Sequence, residues 1–255
     1  MVPLNFRKMG EGKPLLILHG LFGSLDNWVT LGRRWSEDYA VYLLDLRNHG
    51  KSPHTDSHTI EDMVDDLVGF IHDHNLDQPV LLGHSMGGKV VMEMALSHPE
   101  LVGGVIIVDI SPRAYERGHD YIFEGIRSLD MDQISSRQEI EEILSQSIKN
   151  LSEVLFMSKN INRSSSGFSW KINVDVLERD YENIIAPIDS GRTYQGPALL
   201  IKGELSRYVK PVDGTLLEEY FPKIKHITIQ GAGHWVHADR PDEFEHVVRH
   251  FMEDL

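Results

Sequence analysis

The run Val80-Leu81-Leu82-Gly83-His84-Ser85-Met86-Gly87-Gly88 constrains the fold of this chain more than any other stretch. A short apolar segment ends in Gly83-x-Ser85-x-Gly87 and gives way at once to helix-like sequence, which predicts a strand, a sharp turn at Ser85 and a helix. Glycines two residues to either side let strand and helix pass without Cβ clashes, and the turn pushes the serine hydroxyl into the open. The helix that begins there aims free N–H groups and the positive end of its dipole at the place where an oxyanion would form. A bare Gly-x-Ser-x-Gly arises by chance in roughly one protein of this length in ten, so the motif needs its context. Here the context is the strand before it, the helix after it, His19-Gly20 early in the chain and Gly231-Ala232-Gly233-His234 late.

Around that element strands and helices alternate. Val2 to Lys8 alternates apolar and polar residues, and a turn at Met9–Lys13 leads into Pro14–Leu18, so an edge hairpin is expected to open the fold. Leu15–Leu18, Ala40–Leu44, Val80–Leu82 and Gly104–Val108 are apolar on both faces, as strands inside a sheet covered on both sides must be. Thr59-Ile60-Glu61-Asp62 resembles a capping box and predicts a helix to about His74, with Met63, Leu67, Phe70 and Ile71 on one face. From Arg113 to about Gln195 no such strand occurs, and helix-like segments run near 114–128, 132–149, 151–159 and 173–182. The rhythm resumes at Ala198–Gly203, then a helix from Pro211, a strand over Ile224–Ile229 and a last helix from Pro241. This pattern predicts an α/β fold with a mostly parallel sheet flanked by helices. Residues 1–112 and 196–255 form its core, and residues 113–195 an inserted helical cap.

Of the 255 residues 25 are Lys or Arg and 39 are Asp or Glu, a formal charge of −14 that repels nucleic-acid phosphates and anionic lipid surfaces. With no cysteine, a disulfide framework, a thiolate nucleophile and a cysteine-based zinc site are all excluded. The first residues lack the apolar core of a secretory signal and no apolar run approaches the ~20 residues of a membrane span, so the expected location is the cytoplasm.

His19, Ser85, Asp109, Ser206 and His234 all follow predicted strands, and a parallel sheet brings such positions to one edge. A serine hydroxyl is too weak an acid to attack a carbonyl unaided, so an imidazole must take its proton and return it to the leaving group. His234, in a glycine-rich loop able to reach over the sheet, is the candidate base, and it needs a carboxylate to fix its tautomer. Backbone N–H groups of Leu21, in the turn after His19-Gly20, and of Met86 are the expected oxyanion donors, with Phe22 the alternative to Leu21. Asp45 and Arg47 are expected to pair and hold the loop after Ala40–Leu44. His84 is read as packed in the turn. His234/His237 and His246/His250 have spacings found in metal sites but lack the completing Glu or carboxylate cluster, so solvated helix histidines and no metal are expected.

Five motifs carry a family likeness: His19-Gly20-Leu21-Phe22-Gly23-Ser24-Leu25-Asp26-Asn27, Asp45-x-Arg47-Asn48-His49-Gly50-x-Ser52, Gly83-His84-Ser85-Met86-Gly87-Gly88-Lys89, Asp109-Ile110-Ser111-Pro112 and Gly231-Ala232-Gly233-His234-Trp235-Val236-His237. Through them nearly the whole chain resembles the α/β-hydrolase superfamily, and more closely the small YbfF-type esterases. Most of that superfamily carries its acid in a Gly-x-x-Asp pattern where this chain has Gly203-Glu204-Leu205-Ser206. The YbfF-type resemblance instead implies Asp109 as the acid, supported by Ser206, with Glu204 as rival. The function implied is hydrolysis of short-to-medium acyl carboxylic esters through an acyl-enzyme, by Ser85, His234 and Asp109, without a cofactor. The expected partner is a small-molecule ester or thioester, in a pocket drawn from Phe22, Trp235, Met86, Trp28 and Trp170. Rival readings are a carbon–carbon bond hydrolase, an acyl-CoA thioesterase with Arg113, Arg117 and Arg127 on the first cap helix meeting the CoA phosphates, and a non-catalytic receptor or scaffold.

Overall fold

A computed structural model of the chain describes residues 1–164, 167–189 and 191–255. Its centre is a seven-stranded sheet in the order β1-β3-β2-β4-β5-β8-β9. The strands are β1 (Phe6–Met9), β2 (Lys13–Leu18), β3 (Tyr39–Leu44), β4 (Val80–His84), β5 (Gly104–Val108), β8 (Ala198–Gly203) and β9 (Ile224–Ile229). All neighbours run parallel except β1, which lies antiparallel to β3 with Phe6 opposite Leu44. The expected opening hairpin therefore does not form. Leu15–Leu18 of β2 are fully buried on both faces and need a strand on each edge, which β3 and β4 supply, while the mostly exposed β1 takes the sheet's edge.

Alternation along the buried strands splits the core in two. Leu16, Leu18, Leu81, Val105 and Ile107 face one way, against α2 (Ile60–Asp73), α3 (Met86–Ser97) and Leu217 of α9 (Asp213–Tyr220). Leu15, Ile17, Leu82, Ile106 and Val108 face the other, against α1 (Val29–Trp35) and the last helix, α10 (Pro241–Glu253). The α2 start is as expected, with Thr59 Oγ1 accepting from Asp62 N at 3.1 Å and Met63, Leu67, Phe70 and Ile71 buried. α3 ends at Ser97, before His98-Pro99.

Between β5 and β8 the chain leaves the sheet through α4 (Asp120–Arg127), α5 (Arg137–Ser147), α6 (Leu151–Ser158), α7 (Val174–Arg179) and α8 (Tyr181–Ile185). A small antiparallel hairpin, β6 (Ile161–Ser164) with β7 (Gly167–Trp170), interrupts them against expectation. Each arm is four residues long and Ile161 is the one buried residue among them, so neither has the apolar periodicity by which a strand is read. The way out and back is zipped by Tyr115 N to Ile185 O and Ile188 N to Pro112 O. Among the described residues no helix is long and apolar enough to cross a membrane.

The Asp45–Arg47 pair also does not form. Arg47 runs beneath its loop to α2, bonding Asp66 at 2.6 and 2.8 Å and Asp62 at 3.0 Å. Asp45 accepts instead from Leu25 N, Lys51 N and the Asn5 side chain at 2.7–2.9 Å, tying three loops together.

Candidate active site

Ser85 sits between β4 and α3 with φ 52° and ψ −116°. A side chain in that region is strained by about 1–3 kcal/mol and persists only where its surroundings over-determine it. Here Ser85 N bonds Val108 O at 3.0 Å, and β4 and α3 close on each other so tightly that a Cβ at Gly83 would fall inside contact of the Gly87 carbonyl. A Cβ at Gly87 would meet Leu18 O at 2.6 Å. The glycine spacing is thus a packing requirement of the turn.

Asp109, immediately after β5, also has a left-handed backbone, φ 52°, and its side chain is wholly buried. Its Oδ2 accepts from His234 Nδ1 at 2.7 Å and from Ser206 Oγ; its Oδ1 accepts from Gly203 N at 3.2 Å. A carboxylate at Nδ1 keeps the proton there and leaves Nε2 as the basic nitrogen of His234. Glu204, exposed, accepts from Gly231 N at 2.8 Å and braces the loop that carries His234. The structure thus brings His234, Asp109 and Ser206 together and leaves Glu204 outside that cluster. Ser85 Oγ makes no hydrogen bond to His234 in this structure. Their loops are joined through His84, whose Nε2 donates to His234 O at 2.9 Å and whose ring lies 4.7 Å from the imidazole of His234.

Several neutral rings hold this arrangement. Burial, with His234 and His237 beside it, pushes His84 well below the ordinary histidine value, so it serves as a hydrogen-bond donor rather than a second base. His237, expected in solvent, is buried instead, stacked on Trp28 at 4.1 Å and pushed down to about 3 by burial. Its Nδ1 has no partner. Trp28 belongs to the core on that side of the sheet and is not a pocket wall. Tyr208, which no motif marks, stacks on the His234 ring at 3.7 Å and 14°.

The turn after His19 is built with equal care. Gly23 N bonds Gly20 O at 2.9 Å, and Phe22 at i+2 has φ 60°, the geometry of a type II turn. Its Phe22 N–H donates to His49 Nε2 at 3.2 Å, so the alternative oxyanion donor is already engaged, whereas no described residue accepts from Leu21 N. Met86 N–H, at the first position of α3, has no intrahelical acceptor. Phe22 packs edge-on against Phe123 of α4 at 5.3 Å, and Trp235 lies 5.4 Å from Phe156 of α6, so both face the inserted segment. Met86 Sδ lies 3.4 Å from His58 Nε2. Trp170 instead lines a cavity of about 430 Å³ with Ile126, Leu129, Met131 and Ile172, which Ser85 and His234 do not reach.

A family model described as alpha/beta hydrolase fold matches residues 13–241. The chain belongs to that family. It is 34% identical over 245 residues to esterase YbfF of Escherichia coli, covering 96% of this chain and 94% of the relative. It is 34% identical over 257 residues to the sn-1-specific diacylglycerol lipase ABHD11 of Danio rerio, covering 97% and 81%. A solved marine microorganism esterase superposes with a TM-score of 0.96 at 42% identity, covering 98% of this chain and all of that one. The resemblance to YbfF-type esterases and the expected fold agree with these matches, as does the expectation of a carboxylic ester hydrolase.

Proposed function

We propose that the chain cleaves short-to-medium acyl carboxylic esters through an acyl-enzyme on Ser85. The observation that carries this reading is the His234 Nδ1 to Asp109 Oδ2 bond of 2.7 Å, tied through His84 to a serine on a strained turn. Ser85 Oγ attacks the carbonyl carbon while His234 Nε2 takes its proton. The carbonyl oxygen becomes an oxyanion that the N–H groups of Leu21 and Met86 stabilise. The intermediate collapses as His234 returns the proton to the leaving alcohol, and a water then repeats the sequence on the acyl-enzyme. Asp109, buried and bonded to His234 Nδ1, fixes the tautomer and stabilises the imidazolium as it forms. Trp235, half-buried and facing the inserted segment, supplies apolar surface for the acyl chain, while Phe22, expected beside it, is packed into the core.

An acyl-CoA substrate is less well served. Arg113 and Arg117 precede the first cap helix instead of standing on it, and each of the three arginines expected at the CoA phosphates already has carboxylate partners. Arg113 pairs with Asp213, Arg117 with Asp120 and Glu182, and Arg127 with Asp175 and Glu178. The relatives' names, an esterase and a diacylglycerol lipase, share the carboxylic ester. The test is a panel of p-nitrophenyl esters run beside acyl-CoA thioesters, with a serine-reactive phosphonate read by mass spectrometry. Label on Ser85, lost in Ser85→Ala, and turnover of the esters are expected. An unlabelled Ser85 and no turnover would mean a binding protein on this fold.

A further inference from the structure

The Gly20–Gly23 turn that carries the Leu21 N–H is unusual in having a phenylalanine at the left-handed position of a type II turn, where glycine or asparagine normally stands. Such a backbone is held by what surrounds it. Phe22 is gripped on both sides. Its N–H donates to His49 Nε2, and His49 is set for this because its Nδ1 donates to Arg47 O at 3.0 Å and burial keeps the ring neutral. Its carbonyl accepts from Asn160 Nδ2 at 2.6 Å, across 138 residues of sequence.

Asn160 is itself buried, and its backbone is fixed by the inserted segment. Its N bonds Met157 O at the end of α6 at 2.9 Å, and its O accepts from Lys171 N beyond the β6/β7 hairpin at 2.7 Å. Among the described residues it makes the one hydrogen bond from residues 113–195 to the Gly20–Gly23 turn. The core alone therefore fixes one side of the strained residue, and the inserted segment fixes the other. An oxyanion donor must be held to about 0.5 Å to act, so a turn held on one side only would present Leu21 N–H less well.

We infer that Asn160 is a positioning residue for the oxyanion turn: through the Phe22 carbonyl, seating of the inserted segment on the core completes the oxyanion hole. This rests on the reading of Ser85 as nucleophile with Leu21 N–H as donor. Linkage makes the effect reciprocal, so an oxyanion on Ser85 favours the seated segment as much as the seated segment favours the oxyanion.

The experiment compares two ligands in wild type and Asn160→Ala. An alkyl trifluoromethyl ketone receives Ser85 Oγ at its carbonyl carbon, passes the serine proton to His234 and turns its carbonyl oxygen into an oxyanion. The matching secondary alcohol fills the same pocket and forms no oxyanion. In Asn160→Ala the ketone should bind roughly 10- to 100-fold more weakly, a fraction of the 10²–10³-fold in kcat that deleting a whole donor costs. The alcohol's affinity and KM should hold, and kcat should fall by the same factor as ketone affinity. Equal losses for both ligands, or none for either, overturn the inference. If the variant does not fold, hydrogen exchange on wild type decides: the ketone, but not the alcohol, should protect residues 150–164 as well as the turn, and equal protection by both overturns the idea. A wild-type enzyme that neither binds the ketone tightly nor carries it on Ser85 overturns the hydrolase reading; a wild type that does, with Asn160→Ala unchanged, overturns only the role of Asn160.

Discussion

Replacing Asp109 by asparagine separates orientation from charge. The Oδ1 position already receives the Gly203 N–H at 3.2 Å, so the amide oxygen of the new side chain would settle there and its NH₂ would take the Oδ2 position, facing His234 Nδ1 and Ser206 Oγ. An N–H donor at Nδ1 forces the imidazole proton onto Nε2, and the base then has no lone pair to offer Ser85. A loss of roughly 10³–10⁴ in kcat is expected, the size found for this change in serine triads. Ser206→Ala differs in kind. Its hydroxyl donates to a buried carboxylate, a bond worth about 1.5–3 kcal/mol, but one made in ground and transition states alike. Such a bond supports the fold more than the chemical step, so the melting temperature should drop while kcat falls tenfold or less. Glu204→Gln changes an exposed brace whose replacement still accepts from Gly231 N, so its cost should stay within about 0.5 kcal/mol. The assay is kcat and kcat/KM on one activated ester, with folding checked by circular dichroism. Equal losses for Asp109→Asn and Ser206→Ala would make Ser206 part of a four-residue relay; a crippled Glu204→Gln beside a mild Asp109→Asn would show that the acid has been misassigned.

Three further expectations follow from buried or inserted parts of the chain. Lys89 is buried with no carboxylate, donating to Arg113 O and Ala186 O, and burial, reinforced by Arg113, lowers its pKa to about 7. Between there and its unfolded value of ~10.4 the unfolded chain binds the extra proton, so stability should rise with pH over that window, and Lys89→Met should lack this rise in thermal melts taken at successive pH values. Gly83→Ala places a Cβ against the Gly87 carbonyl, backbone that has no free space to yield, so the variant should be unfolded or melt far below wild type; an active, normally melting protein would contradict the packing of the turn. Residues 120–164, outside the sheet, should exchange amide hydrogens more readily than the strands around Leu16, Leu82 and Ile107, and uniform protection would argue against a segment that opens on its own.

What the sequence makes legible depends on how local each cause is. The Ser85 turn is written in consecutive residues, because the glycines that permit it lie two positions away, and Thr59 caps α2 through a donor three residues on. The buried strands declare themselves because a strand covered on both faces has no polar alternation to hide behind. Pairing is another matter. Nothing in Phe6–Met9 says that its partner is β3 rather than β2; that follows from β2 needing both of its edges for more deeply buried neighbours. The same limit governs the site. Asp109 follows from a family likeness, since its spacing to His234 carries no signal of its own, and Tyr208, Asn160 and the burial of Lys89 become visible only when the sheet and the inserted segment are folded together. Asn160 and Phe22 are 138 positions apart, and although Phe22 lies in a motif, nothing in the sequence around Asn160 points to it. Their bond exists because α6 ends over a turn that a phenylalanine holds against its own preference. A residue whose only work is to steady another residue's backbone leaves no motif, so the strained φ of Phe22 is the trace by which it is found.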